Sequence, residues 1–111
     1  MSTIRDPLER ARKPAFQPAS ADLWELFEAV LGLSTQPECG DFFTDLCTPG
    51  ELSDMADRWK VARLLSQRMP YRVIHERTGV STATITRVAR ALYQGEGGYK
   101  KALDRMKSKR K

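Results

Sequence analysis

The chain has 111 residues, of which 41% are hydrophobic and 30% charged, and its formal net charge is +5 at pH 7. This length suits one small domain with little room for a deep active site, and the apolar content is too high for a fully disordered chain. No stretch approaches the roughly 20 apolar residues of a membrane helix, and the N-terminus lacks the apolar core of a secretion signal, so we expect a cytoplasmic protein.

The N-terminal region combines a proline-rich segment with a first helix. Residues 1–19 contain three prolines, mixed charge and little apolar periodicity, so we expect a flexible arm. Asp22 followed by Glu25 has the spacing of a capping box, and apolar residues then recur at helical spacing. This pattern predicts a helix over about 22–33.

Two more helices are predicted downstream, over about 36–46 and 49–67. Each begins with a hydroxyl N-cap, a proline in the first turn and a glutamate at the third helical position. These residues are Thr35, Pro37 and Glu38 for the first helix, and Thr48, Pro49 and Glu51 for the second. The second helix has apolar side chains on more than one face, so we expect it to be the central strut of the domain.

Residues 70–93 contain a short helix, a glycine turn and a longer helix. Pro70 opens the short helix, Gly79 closes it in a left-handed conformation, and Ser81 caps the longer helix. The side chains expected to point inward are Val73 and Ile74 of the first helix and Ile85, Val88, Ala89 and Leu92 of the second. This organisation is that of a helix-turn-helix.

A last helix is predicted over about 98–107, where apolar side chains recur between lysines. The side chains expected to dock it are Tyr99, Ala102, Leu103 and Met106. No strand pattern or internal repeat competes with an all-α interpretation. We therefore expect a flexible arm over 1–19, a helical domain over 20–106 and a basic tail over 107–111.

Positive charge is concentrated in the C-terminal half of the chain. From Pro14 to Asp57 there are nine acidic residues and no lysine or arginine, whereas from Arg58 onward fifteen lysines and arginines face three acidic residues. This asymmetry indicates a polyanionic partner for the C-terminal half. Lysines and arginines that only keep helix faces hydrated would produce the same excess of positive charge. The charge therefore indicates nucleic-acid binding only together with a DNA-binding motif.

A helix-turn-helix supplies such a motif, because the first residues of its second helix can face the major groove. Threonine and alanine there allow close approach and can contact base edges or a thymine methyl group, while arginines pair with phosphates. Aromatic and basic residues at the start of the first helix are further candidates for phosphate contact. The predicted DNA-binding residues are Tyr71, Arg72, Ser81, Thr82, Ala83, Thr84, Thr86, Arg87 and Arg90.

The segments LCTPGELSDMADRWKVARLL and ERTGVSTATITRVARAL resemble the Trp repressor superfamily, and most of all its YerC/YecD branch. The resemblance covers roughly residues 22–106. It implies a six-helix, intertwined homodimer in which two reading heads meet successive major grooves of double-stranded DNA. Together with the helix-turn-helix it leads us to expect a transcriptional regulator that recognises a specific DNA sequence. Repression by occupying a promoter is the expected outcome, and activation stays open as the alternative.

The resemblance also bears on a small effector. In the Trp repressor, two arginines and a threonine help to hold L-tryptophan, and the matching positions here are Thr48, Arg58 and Arg87. The chain has one residue fewer than that repressor between the central helix and the reading head, which affects the match of Arg58, and Thr48 is equally explained as a helix cap. Val88 stands where that repressor has a glycine that leaves room for the indole. We therefore expect Val88 to crowd a tryptophan pocket.

Enzymatic and metal-binding functions are not expected. His75 is the sole histidine and has no motif that links it to Cys39 or Cys47, and the two cysteines lack a second pair for a zinc site. Two other functions stay open. The helix-turn-helix scaffold could serve as a protein-interaction module, or residues 107–111 could drive nonspecific binding to nucleic acid.

Overall fold

A computed structural model describes residues 20–110, which form six α-helices and no strand. The helices are α1 (Ala21–Leu31), α2 (Gln36–Leu46), α3 (Pro49–Ser66), α4 (Tyr71–Thr78), α5 (Thr82–Gln94) and α6 (Gly98–Arg110). The predicted all-α, six-helix class is confirmed, whereas the predicted arm lies outside the described residues. The chain divides after Leu33 into two compact units, of which the first contains α1 and the second contains α2 to α6. Within the described part of the chain, no helix has the length and apolar character needed to cross a lipid bilayer.

The start of α1 differs from the predicted one. The Ser20 hydroxyl accepts a hydrogen bond from the Leu23 N–H at 3.3 Å, and Asp22 lies inside the first turn. The predicted capping box on Asp22 is therefore wrong, because the extended backbone at Ser20 places its oxygen against the open N–H groups of the helix. An acidic residue in the first turn still complements the positive end of the helix dipole.

Helices α2 and α3 begin where their capping residues predict. The Thr35 hydroxyl accepts the Glu38 N–H at 3.2 Å, and the Glu38 carboxylate accepts the Ser34 N–H at 2.9 Å. Helix α3 has a complete capping box, in which Thr48 accepts the Glu51 N–H at 3.1 Å and Glu51 accepts the Thr48 N–H at 2.8 Å. These reciprocal bonds satisfy donors that an uncapped helix would leave open.

The core of the second unit lies where α5 packs against α3, α4 and α6. Its buried residues are Val61, Ala62, Leu65, Ile74, Val80, Ile85, Val88 and Ala89. Burial on α3 is confined to its C-terminal half, since Leu52 and Met55 are half-buried and Ala56 is exposed. The prediction of a central strut is thus correct only for the part of α3 that meets the helix-turn-helix.

Helix α3 ends in a Schellman motif. The Arg68 N–H donates to the Leu65 carbonyl at 2.8 Å, and the Met69 N–H donates to the Leu64 carbonyl at 3.2 Å. Arg68 has a φ of 66°, the left-handed conformation that this motif requires and that glycine adopts most easily. Leu64 and Met69 both pack against the core, so this turn anchors the end of α3.

Replacing Arg68 with glycine is expected to raise the free energy of unfolding by about 0.5–1 kcal/mol, because a Cβ atom disfavours the left-handed region. Urea denaturation at a fixed protein concentration measures the change. An Arg68→Ala variant is the control, since it removes the same charge but keeps the Cβ atom. Equal stabilisation by alanine would attribute the effect to charge instead of backbone conformation.

Helix α6 is longer than predicted and continues through Arg110. Most of the predicted basic tail is therefore helical, because lysine and arginine are strong helix formers and complement the negative end of the helix dipole. Leu103 is buried, and Tyr99 stacks on Trp59 with 6.3 Å between ring centroids. The expected docking face is only partly formed, since Ala102 is exposed.

Candidate nucleic-acid interface

The turn between α4 and α5 fixes the angle between these helices. Gly79 has a φ of 77°, and its N–H donates to the His75 carbonyl at 2.9 Å, which closes α4 as the sequence predicted. Ile74, Val80 and Ile85 lie buried around the turn in one core cluster. The helix-turn-helix is therefore present, and the opposite face of α5 is exposed to solvent.

Ser81 caps the second helix of this motif and is tied to Thr84. The Ser81 hydroxyl accepts the Thr84 N–H at 3.1 Å and donates to the Thr84 hydroxyl at 3.0 Å. Thr84 is half-buried, whereas Thr82, Ala83 and Thr86 are exposed, and its contact with DNA stays a prediction. In the bond between the two hydroxyls Thr84 is the acceptor, so its own hydroxyl proton stays available to an acceptor on a DNA base.

The exposed face of α5 forms a shallow recess of about 390 Å³, which we call the reading recess. Its lining residues are Thr82, Ala83, Thr86, Arg87 and Arg90. The Thr86 hydroxyl donates to the Thr82 carbonyl at 2.9 Å. Five of the nine predicted DNA-binding residues thus share one surface that combines methyl groups, hydroxyls and guanidinium groups.

A second recess of about 200 Å³ continues from the reading recess along α5. It is lined by Tyr71, Thr86, Ala89, Arg90, Tyr93 and Gln94, and it shares Thr86 and Arg90 with the first recess. Tyr71 was predicted, whereas Tyr93 and Gln94 were not. Helical spacing could have found them, because positions 86, 90 and 93 or 94 follow one face of α5.

Arg72 lies on the exposed surface of α4 and forms an ion pair with Glu76. Its guanidinium donates to the Glu76 carboxylate at 3.1 Å, and the two side chains are 78% and 58% exposed. The sequence contains the signal for this pair, since the two residues are four positions apart on one helix. The Glu76 carboxylate would therefore compete with a DNA phosphate for the Arg72 guanidinium.

The residues that the resemblance links to an effector have different environments. The Thr48 hydroxyl is bonded in the α3 capping box, and Arg58 is half-buried on the same helix. Arg87 lines the reading recess, which neither of the other two residues lines. Val88 is 1% exposed and belongs to the core cluster. An effector site at these residues stays a prediction.

A protein-family model decides the relationship of this chain to known proteins. The model for Trp repressor protein matches residues 21–107. The chain belongs to the Trp repressor family. The uncharacterized protein YerC of Bacillus subtilis (strain 168) is 46% identical over 86 residues, which cover 78% of this chain and 83% of YerC. The predicted superfamily and its YerC-like branch are confirmed.

Two solved structures of Trp repressor-like proteins are similar to this chain. A TrpR-like protein from Eubacterium eligens ATCC 27750 has a TM-score of 0.75 at 40% identity, with 79% of this chain and 91% of that chain covered. A Trp repressor candidate from Staphylococcus aureus also has a TM-score of 0.75 at 40% identity, with 93% of this chain and 96% of that chain covered. Membership of this family points to a helix-turn-helix DNA-binding regulator.

Proposed function

We propose that the protein is a transcriptional repressor that recognises a specific operator through the reading recess on α5. The observation that carries this proposal is the grouping of small side chains and two arginines on one exposed helix face next to the helix-turn-helix turn. Thr82, Ala83 and Thr86 are suited to base edges and thymine methyl groups. Arg87 and Arg90 are suited to the phosphates on either side.

The second recess extends this surface toward the sugar-phosphate backbone. Tyr71 and Tyr93 are 45% and 64% exposed and line this recess with Arg90. Tyrosine hydroxyls and arginine guanidinium groups are common donors to phosphate oxygens, and such contacts fix the register of a protein on the duplex. We assign base readout to the start of α5 and backbone contact to the neighbouring tyrosines and arginines.

The proposed assembly is a homodimer. Leu31 at the end of α1 is 84% exposed and Leu46 at the end of α2 is 50% exposed, which leaves large apolar side chains in water in a single chain. A second copy related by a two-fold axis would cover such surface and would supply a second reading head. Two heads one helical turn apart would match a two-fold related operator.

The test is selection of bound sequences from a random duplex library, followed by affinity measurements on the selected and scrambled duplexes across a salt series. We expect a two-fold related site that binds roughly a thousandfold more tightly than scrambled DNA. Equal binding to every duplex, abolished by deletion of residues 107–111, would replace the proposal with nonspecific binding. Absence of binding to any duplex would favour the protein-interaction module.

Arg90→Gln is expected to weaken binding to operator and scrambled duplexes by the same factor and to reduce the salt slope by about one, because it removes a phosphate contact. Thr82→Ala should instead change preference at particular base pairs and leave the salt slope unchanged. Electrophoretic mobility shifts with single base-pair variants of the operator separate the two results. A change in base preference for Arg90→Gln would contradict the assignment of this residue to the backbone.

Glu76→Gln is expected to strengthen binding to all duplexes by roughly twofold to threefold, because it frees Arg72 from an exposed ion pair of modest strength. Fluorescence anisotropy at low salt is the appropriate measurement. Glu96→Gln removes the same charge from the turn before α6 and serves as the control for net charge. Equal gains in both variants would show that Arg72 does not contact DNA.

A further inference from the structure

Both peptide groups of Val80 are held by side chains of α4. The His75 Nδ1 lies 2.7 Å from the Val80 carbonyl oxygen, and the Thr78 hydroxyl accepts the Val80 N–H at 3.0 Å. The Thr78 hydroxyl in turn donates to the Ile74 carbonyl at 2.7 Å. Because a carbonyl oxygen only accepts, the contact requires a proton on Nδ1 of His75. Two side chains of α4 thus fix the orientation of Val80 in the turn between α4 and α5.

The held residue lies directly before the reading helix. The Val80 side chain is 8% exposed and is part of the core, and Ser81 after it caps α5. Thr82, which lines the reading recess, is the next residue. The orientation of Val80 therefore sets the direction in which α5 begins. Recognition of base edges tolerates misplacement of only about 0.5 Å, so this orientation bears on sequence discrimination.

We propose that His75 is a positioning residue of the reading head, which acts on DNA recognition through its bond to the Val80 carbonyl. The proposal rests on the DNA-binding function proposed above. Thr78 bonds the N–H of Val80, which faces back toward Gly79 along the chain, whereas His75 bonds the Val80 carbonyl, which belongs to the peptide group shared with Ser81. It is the side chain of α4 that holds the carbonyl leading into the cap of α5.

The protonation pattern of the ring is the first test. Nitrogen-15 NMR of the full-length protein, at a pH at which the ring is neutral, should show the proton on Nδ1 and an unprotonated Nε2. Free histidine in water favours the opposite tautomer, so this result would be specific to the bond with Val80. A neutral ring with its proton on Nε2 would overturn the proposal, whether or not the protein binds DNA.

Three substitutions of His75 give the second test. Asparagine places an amide nitrogen at the position of Nδ1, glutamine places one near the position of Nε2, and leucine supplies neither. His75→Leu and His75→Gln should lower the ratio of operator to scrambled affinity by roughly threefold to tenfold, the range for one hydrogen bond, and His75→Asn should recover most of it. The salt slope should stay constant in all three, because no phosphate contact is removed.

Two outcomes would count against His75 as a positioning residue. An asparagine variant as weak as the leucine variant would overturn the proposal. A salt slope reduced by about one in every variant would identify His75 as a direct phosphate contact instead. Circular dichroism melts check folding, and if His75→Leu fails to fold, the comparison of asparagine with glutamine still decides. If wild-type protein prefers no duplex, the proposed function fails, while the NMR result still decides whether His75 holds Val80.

Discussion

Val88→Gly is expected to lower the free energy of unfolding by about 3 kcal/mol. Val88 is 1% exposed in the core formed by α3, α4 and α5, so the substitution removes a fully buried isopropyl group and leaves a cavity. The change also places glycine in the interior of a helix, which adds to the loss. Reversible thermal or urea denaturation at a fixed protein concentration measures both contributions together.

Ala91→Gly is the matched control for this substitution. Ala91 lies three residues further along α5 and is exposed, so its replacement tests the effect of glycine in the same helix without a cavity. A loss of about 1 kcal/mol is expected for this control. If Val88→Gly cost no more than Ala91→Gly, Val88 would not be a core residue in solution.

The same burial predicts that wild-type protein does not respond to L-tryptophan. The Val88 side chain fills the position at which the resemblance to the Trp repressor places a glycine. The Thr48 hydroxyl, which the resemblance also links to that effector, is already bonded in the α3 capping box. Operator affinity with and without millimolar L-tryptophan should therefore agree within about twofold, since an effector with no differential binding shifts nothing. A tenfold increase in operator affinity would contradict the crowding of this pocket.

Much of the fold could be predicted from the sequence because its signals are local. Thr48 and Glu51 predict the start of α3 because the hydrogen bonds of the capping box join residues only three positions apart. Gly79 reports the end of α4 because its backbone needs a positive φ. The end of α6 had no such signal, since residues 104–110 contain no glycine or proline and are rich in lysine and arginine, which favour a helix. The cap of α1 was ambiguous because Ser20 and Asp22 both suit an N-terminus.

The candidate site was predicted in outline but not in its internal bonds. The reading recess follows from the helix-turn-helix pattern and from the residue types at the start of α5. The bond of His75 to the Val80 carbonyl crosses the glycine turn, and its existence depends on one side-chain rotamer. The bond between the Ser81 and Thr84 hydroxyls likewise depends on side-chain rotamers that the sequence pattern does not specify. Sequence patterns specify helices and turns more directly than they specify side-chain rotamers and the hydrogen bonds that depend on them.

The homodimer is the part of the proposal with the largest consequence for binding, and Leu31→Asp is the change that tests it. An aspartate in place of this leucine would put a charge into the apolar surface that we propose a second copy covers. The protein should then sediment as a monomer at micromolar concentration. Operator affinity should fall by about a hundredfold or more, because each reading head would bind without the other.

Ala29→Asp provides the control for this test, because it adds the same charge in the same last turn of α1. Helical spacing places Ala29 on the face of Asp22 and Glu25, opposite Leu31, so the dimer should persist and operator affinity should stay within a few fold of wild type. A Leu31→Asp variant that remains dimeric would remove Leu31 from the interface. A monomeric variant with undiminished operator affinity would instead show that one reading head recognises the operator alone, and the two-fold operator would no longer be required.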